Sequence, residues 1–363
     1  MRCPAPFGSS LRPRFAAMFG RARWLPVIAA LLFVGDGSLA AEAAGPAGQG
    51  IAWPPPPAQA RIRYVRSIAT PADWGVTPNV FARLVDMLTG ETQLRFVRPT
   101  GVAVRDKVLF VADPGVPALF VLDAERNEAR QVSDAGGALL LSPVAVAPGP
   151  ADTVFVADSA LKVIIAFDRG GRPVRRISHP DLMRPAAVAY DGKSDRLYVA
   201  DSQAHRIAVF SASGEFRQAF GTRGSGDGEF NAPTHVALTR DGDLLVTDAL
   251  NHRIQAFDAA GRFLRKLGGA GDGAGSFAAP KGVAADGRGR IYVADALFDA
   301  VQIFKPDGAL LLGFGEQGTR PGQFSLPGGL YMDAQDTLYV ADSYNRRIQV
   351  FERSAAGGAA SDD

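Results

Sequence analysis

The chain has 363 residues, 47% of them hydrophobic and 21% charged, with a formal net charge of +2. Its single cysteine, Cys3, can form no internal disulfide, and a chain of this length buries an ample core without one. Residues 1–40 hold five Arg against one acid, Asp36, leaving 34 basic and 36 acidic residues, a net −2, for the rest; that part offers no basic footprint for nucleic acid.

In chain order, residues 1–23 carry those five Arg and no acid, and an apolar run follows from Leu25 to Val34. Small residues at Ser38-Leu39-Ala40 suit signal-peptidase cleavage, so residues 1–40 are expected to be an export leader, with the mature chain periplasmic or extracellular. The run is shorter than the ~20 apolar residues of a span, so no stable membrane span is expected after cleavage. A retained N-terminal anchor is the alternative, and Met18 is an alternative start. No Cys lies near the cleavage region, which argues against a lipid anchor. Residues 41–59 read as a Pro/Gly-rich linker, in which Pro54 to Pro57 favour an extended spacer.

Arg61 to Ile68 is strand-like and stands alone before the repeats. In the insertion that follows, Val80, Phe81, Leu84, Val85 and Leu88 fall at helical spacing. A helix is therefore expected over 79–89, capped by Asn79 and stopped by Gly90, packed on a rim or presented to a partner.

From about residue 98 onward one phrase recurs six times: an apolar pair, Val, Ala or Thr, then Asp. It ends at Asp113, Asp158, Asp201, Asp248, Asp295 and Asp342, with spacings of 45, 43, 47, 47 and 47 residues. A fixed period in this range marks a repeat array. Within the third repeat, four strand-length runs, Pro185–Tyr190, Arg196–Asp201, Arg206–Phe210 and Glu215–Phe220, are separated by Asp, Ser and Gly. Asp-Gly pairs at Asp191-Gly192, Asp241-Gly242, Asp286-Gly287 and Asp307-Gly308 predict tight turns. Three joints between repeats share a pattern, Gly228 to Pro233, Gly275 to Pro280 and Gly322 to Pro327, whose Phe is placed to plug between units.

Four antiparallel strands per repeat are a propeller blade. The expected fold is an all-β, six-bladed β-propeller over residues 60–353, with blades starting near 98, 142, 184, 232, 279 and 326. The sixth repeat ends after its third strand, and the polar tail 354–363 is expected to be disordered. The run at 61–68 is expected to supply the missing outer strand and close the ring.

With Asn251-His252-Arg253-Ile254 as a close match, and Asn345-Arg346-Arg347-Ile348 and Ala204-His205-Arg206-Ile207 as near ones, the chain resembles the NHL-repeat propellers of exported bacterial type. The resemblance implies the fold and leaves the activity open, because propellers host unrelated functions.

Each repeated Asp is expected to be structural, accepting backbone hydrogen bonds in the turn that follows it. His205 and His252 sit at the repeat signature and His179 in an irregular joint. His235 differs. It opens an innermost strand where the other blades have Gly101, Ala145, Ala187, Gly282 and Gly329, so one imidazole is expected at the channel mouth. Peptidylglycine amidating lyase, a propeller similar to this family, uses several channel histidines for zinc; here that ring supplies one, against the three protein ligands normal for catalytic zinc. No cofactor or metal set is therefore expected.

The loop beyond each Asp offers a second lead. Leu250, Leu297, Phe298 and Tyr344 come from three consecutive blades and are expected to form an apolar patch. The sequence thus predicts a non-enzymatic binding or assembly module that engages a protein or other envelope partner. The alternative is a metal-dependent lyase or hydrolase built around His235.

Overall fold

A computed structural model describes residues 50–77 and 94–354. The expected helix at 79–89, the leader and the tail 355–363 lie outside the described residues. Six antiparallel sheets form the six blades of a propeller, and each of the first five has four strands in sequential order. In the third blade these are Pro185–Asp191, Arg196–Asp201, Arg206–Phe210 and Phe216–Phe220.

The second and third strands of a blade are covered on both faces by neighbouring blades. Val154–Asp158 and Val163–Phe167, for example, are buried at every position. That is why these strands read as continuous apolar runs and not as an alternation. The outermost strands of the first four blades face solvent and carry cations, as at Arg175 and Arg176, which protects their edges from pairing with other chains. The core consists of apolar wedges between blades. One of them joins Leu109, Val111 and Phe120 of the first blade to Tyr339, Ile348 and Val350 of the last.

The last blade has five strands, in the order Ala52–Trp53, Ile62–Ile68, Arg347–Arg353, Thr337–Asp342, Pro327–Met332. Ile62–Ile68 pairs antiparallel with Arg347–Arg353, with Tyr64 opposite Phe351 and Arg63 ion-paired to Glu352 at 2.6 Å. The expected closure by 61–68 is thus the observed pairing, and the two-residue strand at Ala52–Trp53 adds an outer layer that the sequence did not announce. Trp53 lays its ring 5.3 Å from that of Phe314 in the fifth blade. Across the junction of the last and first blades, the Gly329 amide donates to the Thr100 carbonyl at 2.9 Å and the Tyr331 hydroxyl to the Val104 carbonyl at 2.8 Å.

The three matching joints are built alike. Phe230, Phe277 and Phe324 are fully buried between blades. Each ring lies over a glycine with positive φ: a Cβ at Gly221, Gly268 or Gly315 would come within 2.3, 2.1 or 2.5 Å of it. Glycine is therefore required there both for the turn and for the room.

The Asp-Gly turns divide. Gly242 and Gly308 take the expected positive φ, whereas after Asp286 it falls on Gly289 and after Asp191 on Asp195. At Asp286 the carboxylate accepts the amides of Arg288 and Arg290, so that Asp286 opens a turn of the same length and Gly289 takes the place that Gly242 holds in the turn opened by Thr239.

Candidate functional site

Each blade's inner strand begins on the face where the blade joints and the loops after the repeated Asp residues lie. The Asp carboxylates tie these two sets of segments together. All six are fully buried. Asp158 accepts the amides of Leu141 and Ser142 from the preceding joint and of Ala160 and Leu161 from the following loop. The contacts in the following turn are thus half of the role; the other half reaches back to the joint.

In the fourth and sixth blades a side-chain network joins in. Asp248 accepts the Nε of Arg253 at 2.8 Å, the Nδ2 of Asn251 at 2.8 Å and the Nε2 of Gln255 at 3.2 Å. Arg253 and Gln255 then reach the Glu229 carbonyl in the joint. Asp342, Asn345, Arg347 and Gln349 repeat the arrangement. The signature residues are therefore a lock between joint and loop. His205 and His252 take the left-handed backbone conformation in that loop, and the His205 Nδ1 accepts the amide of Ala232 in the next joint. His179 stacks on Phe216 at 4.5 Å.

The structure exposes Leu250, Leu297 and Tyr344 and leaves Phe298 half-buried. The side chains at the equivalent loop position in the first three blades are Gly115, Ala160 and Gln203. Those blades instead expose an apolar residue from the joint, at Val97, Leu141 and Met183. These joint residues stand where the last three blades carry Asn231, Ala278 and Ser325, and all six give their amide to a repeated Asp. Every blade thus sets one large apolar side chain on the same face, with exposures from 38% at Met183 to 66% at Leu297. Neither position is apolar in all blades, so the fold itself does not demand it. The joint half was missed in the sequence, although it is marked 16–18 residues before each Asp.

At the centre of this face His235 is half-buried, and its Nδ1 lies 3.2 Å from the Thr234 hydroxyl. Burial, and then the Lys281 ammonium in the next blade, push its pKa down to about 3 from 6.5. Neighbouring ring positions are small because the inner strands nearly touch: a Cβ at Gly101 would come within 2.7 Å of the Ala145 backbone. Among the described residues, no group of three or more His, Cys, Asp or Glu side chains is placed to hold a metal ion. One step further along the inner strands, Val102, Val146, Val188, Val236, Val283 and Leu330 border an uncharged cavity of about 270 Å³.

The lowered pKa has a definite sign. Folding favours the neutral ring, so this contribution to stability is complete above the unfolded pKa and is lost as pH falls from about 6.5 toward about 3. His235→Ala is expected to melt close to the parent at pH 7 and several degrees above it at pH 4, because neighbouring blades manage with Gly or Ala. Equal melting offsets at both pH values would refute the neutral, half-buried imidazole.

Comparison with known proteins bears on the fold. The NHL repeat profile matches residues 182–210, 230–257 and 324–351, in the third, fourth and sixth blades. No curated protein sequence matches the chain. Among solved structures, a protein of unknown function from Bacteroides thetaiotaomicron is similar at 16% identity and a TM-score of 0.56, covering 71% of this chain and 70% of that one. Virginiamycin B lyase from Staphylococcus aureus, solved with quinupristin, is similar at 11% identity and a TM-score of 0.54, covering 70% of this chain and 94% of that one. A chain of a nidogen/laminin complex is similar at 20% identity and a TM-score of 0.50, covering 60% of this chain and 80% of that one. At these identities the likeness is one of fold.

Proposed function

We propose, on the premise that this chain is a six-bladed propeller carrying NHL repeats, that it is an exported, non-enzymatic binding module whose joint-and-loop face receives a protein partner. The observation that carries this reading is the exposed apolar residue set on that face by each blade: Val97, Leu141, Met183, Leu250, Leu297 and Tyr344. Exposed apolar residues gathered on one face are a common mark of a contact surface, and a few anchors usually supply most of its binding energy. The face is ordered by the buried Asp locks, so little conformational entropy is lost on docking. The nidogen/laminin neighbour supports a protein-binding use of the fold by analogy only.

The same experiment tests export and binding. The chain should be recovered from the cell envelope with its N-terminus near Ala40, together with its partner after cross-linking. Leu250→Ser, Leu297→Ser and Tyr344→Ser combined should leave the melting temperature nearly unchanged and weaken capture of that partner tenfold or more. A variant that captures the partner as well as the parent places the contact elsewhere. A terminus still within residues 18–40 replaces the cleaved leader with an anchor.

A further inference from the structure

The centre of the same face carries a charge that nothing in the fold uses. Two successive rings of inner-strand residues border the channel mouth there. One contains His235, and the other, one residue earlier in each strand, contains Lys281. The remaining ten positions are Gly, Ala, Thr or Val, so Lys281 and His235 are the two ionisable groups and neither ring holds an acid.

Lys281 is half-buried, and its ammonium has no hydrogen bond or ion pair among the described residues, although its backbone is fixed by the Thr247 hydroxyl, which donates to the Lys281 carbonyl at 2.7 Å. The two nearest repeated carboxylates in register, Asp248 and Asp295, are fully buried and already accept amides from their own joints. Below the mouth the channel continues into the cavity bordered by Val and Leu, whose lining carries no charge. The Lys281 charge is therefore left without a counter-ion from either side.

His235 adds a second donor. Its ring is neutral near pH 7, and its contact with protein is between Nδ1 and the Thr234 hydroxyl. The tautomer with the ring proton on Nε2 lets that hydroxyl donate to Nδ1. In that tautomer the mouth offers an ammonium and an imidazole N–H, neither of which has an acceptor among the described residues. Partly desolvated donors that lack an acceptor favour an anion, because the low dielectric strengthens the charge interaction that water would otherwise screen.

We propose that the channel mouth is a binding site for a small oxyanion, a carboxylate or a phosphate group, held by the Lys281 ammonium and the Nε2–H of His235. Bulk is not required at either position, since neighbouring blades place Gly, Ala, Thr or Val there, so the pair is free to serve a ligand. The site stands independently of the partner-binding reading.

The test uses the chain from Ala41 onward with labelled histidine, the His235 ring signals being assigned by their loss in H235A. Inorganic phosphate, acetate and chloride are titrated separately at matched ionic strength. A saturable shift of the His235 signals with phosphate or acetate, and an upward move of its pKa as the anion arrives, is the expected result. Lys281→Met should weaken that apparent affinity at least tenfold, and Lys281→Arg should keep it within a few-fold. Saturation by phosphate alone assigns a phosphoryl group, and by acetate alone a carboxylate. An equal response to chloride, no saturable shift with either oxyanion, or an unchanged affinity in Lys281→Met would overturn the proposal. Melting curves confirm that each variant is folded, with Lys281→Gln taking the place of the Met variant if that one is not.

Discussion

Asp248→Ala is expected to cost about 3–5 kcal/mol of folding stability, because it takes the close, buried carboxylate from a buried guanidinium and leaves only the half-exposed Asp227 at 4.0 Å. The Arg253 side chain is only 8% exposed and cannot swing into water to recover its hydration. Asn251, Gln255 and the Asn231 amide lose an acceptor at the same time. Asp342→Ala should behave alike through Arg347. Asp158→Ala orphans backbone amides but no cation, so a smaller loss of about 1–3 kcal/mol is expected. Urea unfolding of the three variants decides the matter. If Asp158→Ala proves as costly as Asp248→Ala, the ion pair is not what holds the joint to the loop.

Starting the chain at Ala69 should have an effect of similar or greater size. The closing strand buries Ile62, Tyr64 and Ile68, and Tyr64 packs edge-on against Phe351 at 5.8 Å. Burial of three such side chains contributes roughly 5–9 kcal/mol, which rivals the whole stability of an ordinary domain. The truncated chain would also present Arg347–Arg353 as a bare edge, buried in the intact ring from Ile348 to Phe351. We expect little soluble monomer by size exclusion. A monomer that melts like the parent would mean that blade packing alone keeps the ring shut.

The architecture was legible because each blade repeats the same local chemistry. The buried Asp, the plugging Phe and the strand lengths all recur at one period, and that period is visible without any tertiary information. What each Asp holds was only half visible. Its turn contacts lie two or three residues away, but its joint contacts lie 15–18 residues back, beyond the reach of a turn motif. The same distance hid the apolar face of the first three blades, where Val97, Leu141 and Met183 sit in joints of unequal length. Asp286-Gly287 misled for the opposite reason: a side chain seizing its own turn outweighed the intrinsic preference of the pair. His235 stood out because it alone breaks a ring of small residues, but its coupling to Lys281 needed the neighbouring blade in place.

The strand that shuts the ring is also among the first to be made. Tyr64 pairs with Phe351 across 287 residues of chain. At ~5–20 residues per second of synthesis, the first partner waits roughly 15–60 s for the second. Joining such distant segments carries a loop-closure entropy that blade-by-blade assembly does not, so ring closure should be the slow, late step of folding. Until then Ile62–Ile68 is a β-prone segment whose pairing is limited to the two-residue strand Ala52–Trp53. Its Arg63 and Arg66 place charge along that segment throughout the wait, which gives the two arginines a duty in the nascent chain separate from any they have in the finished ring.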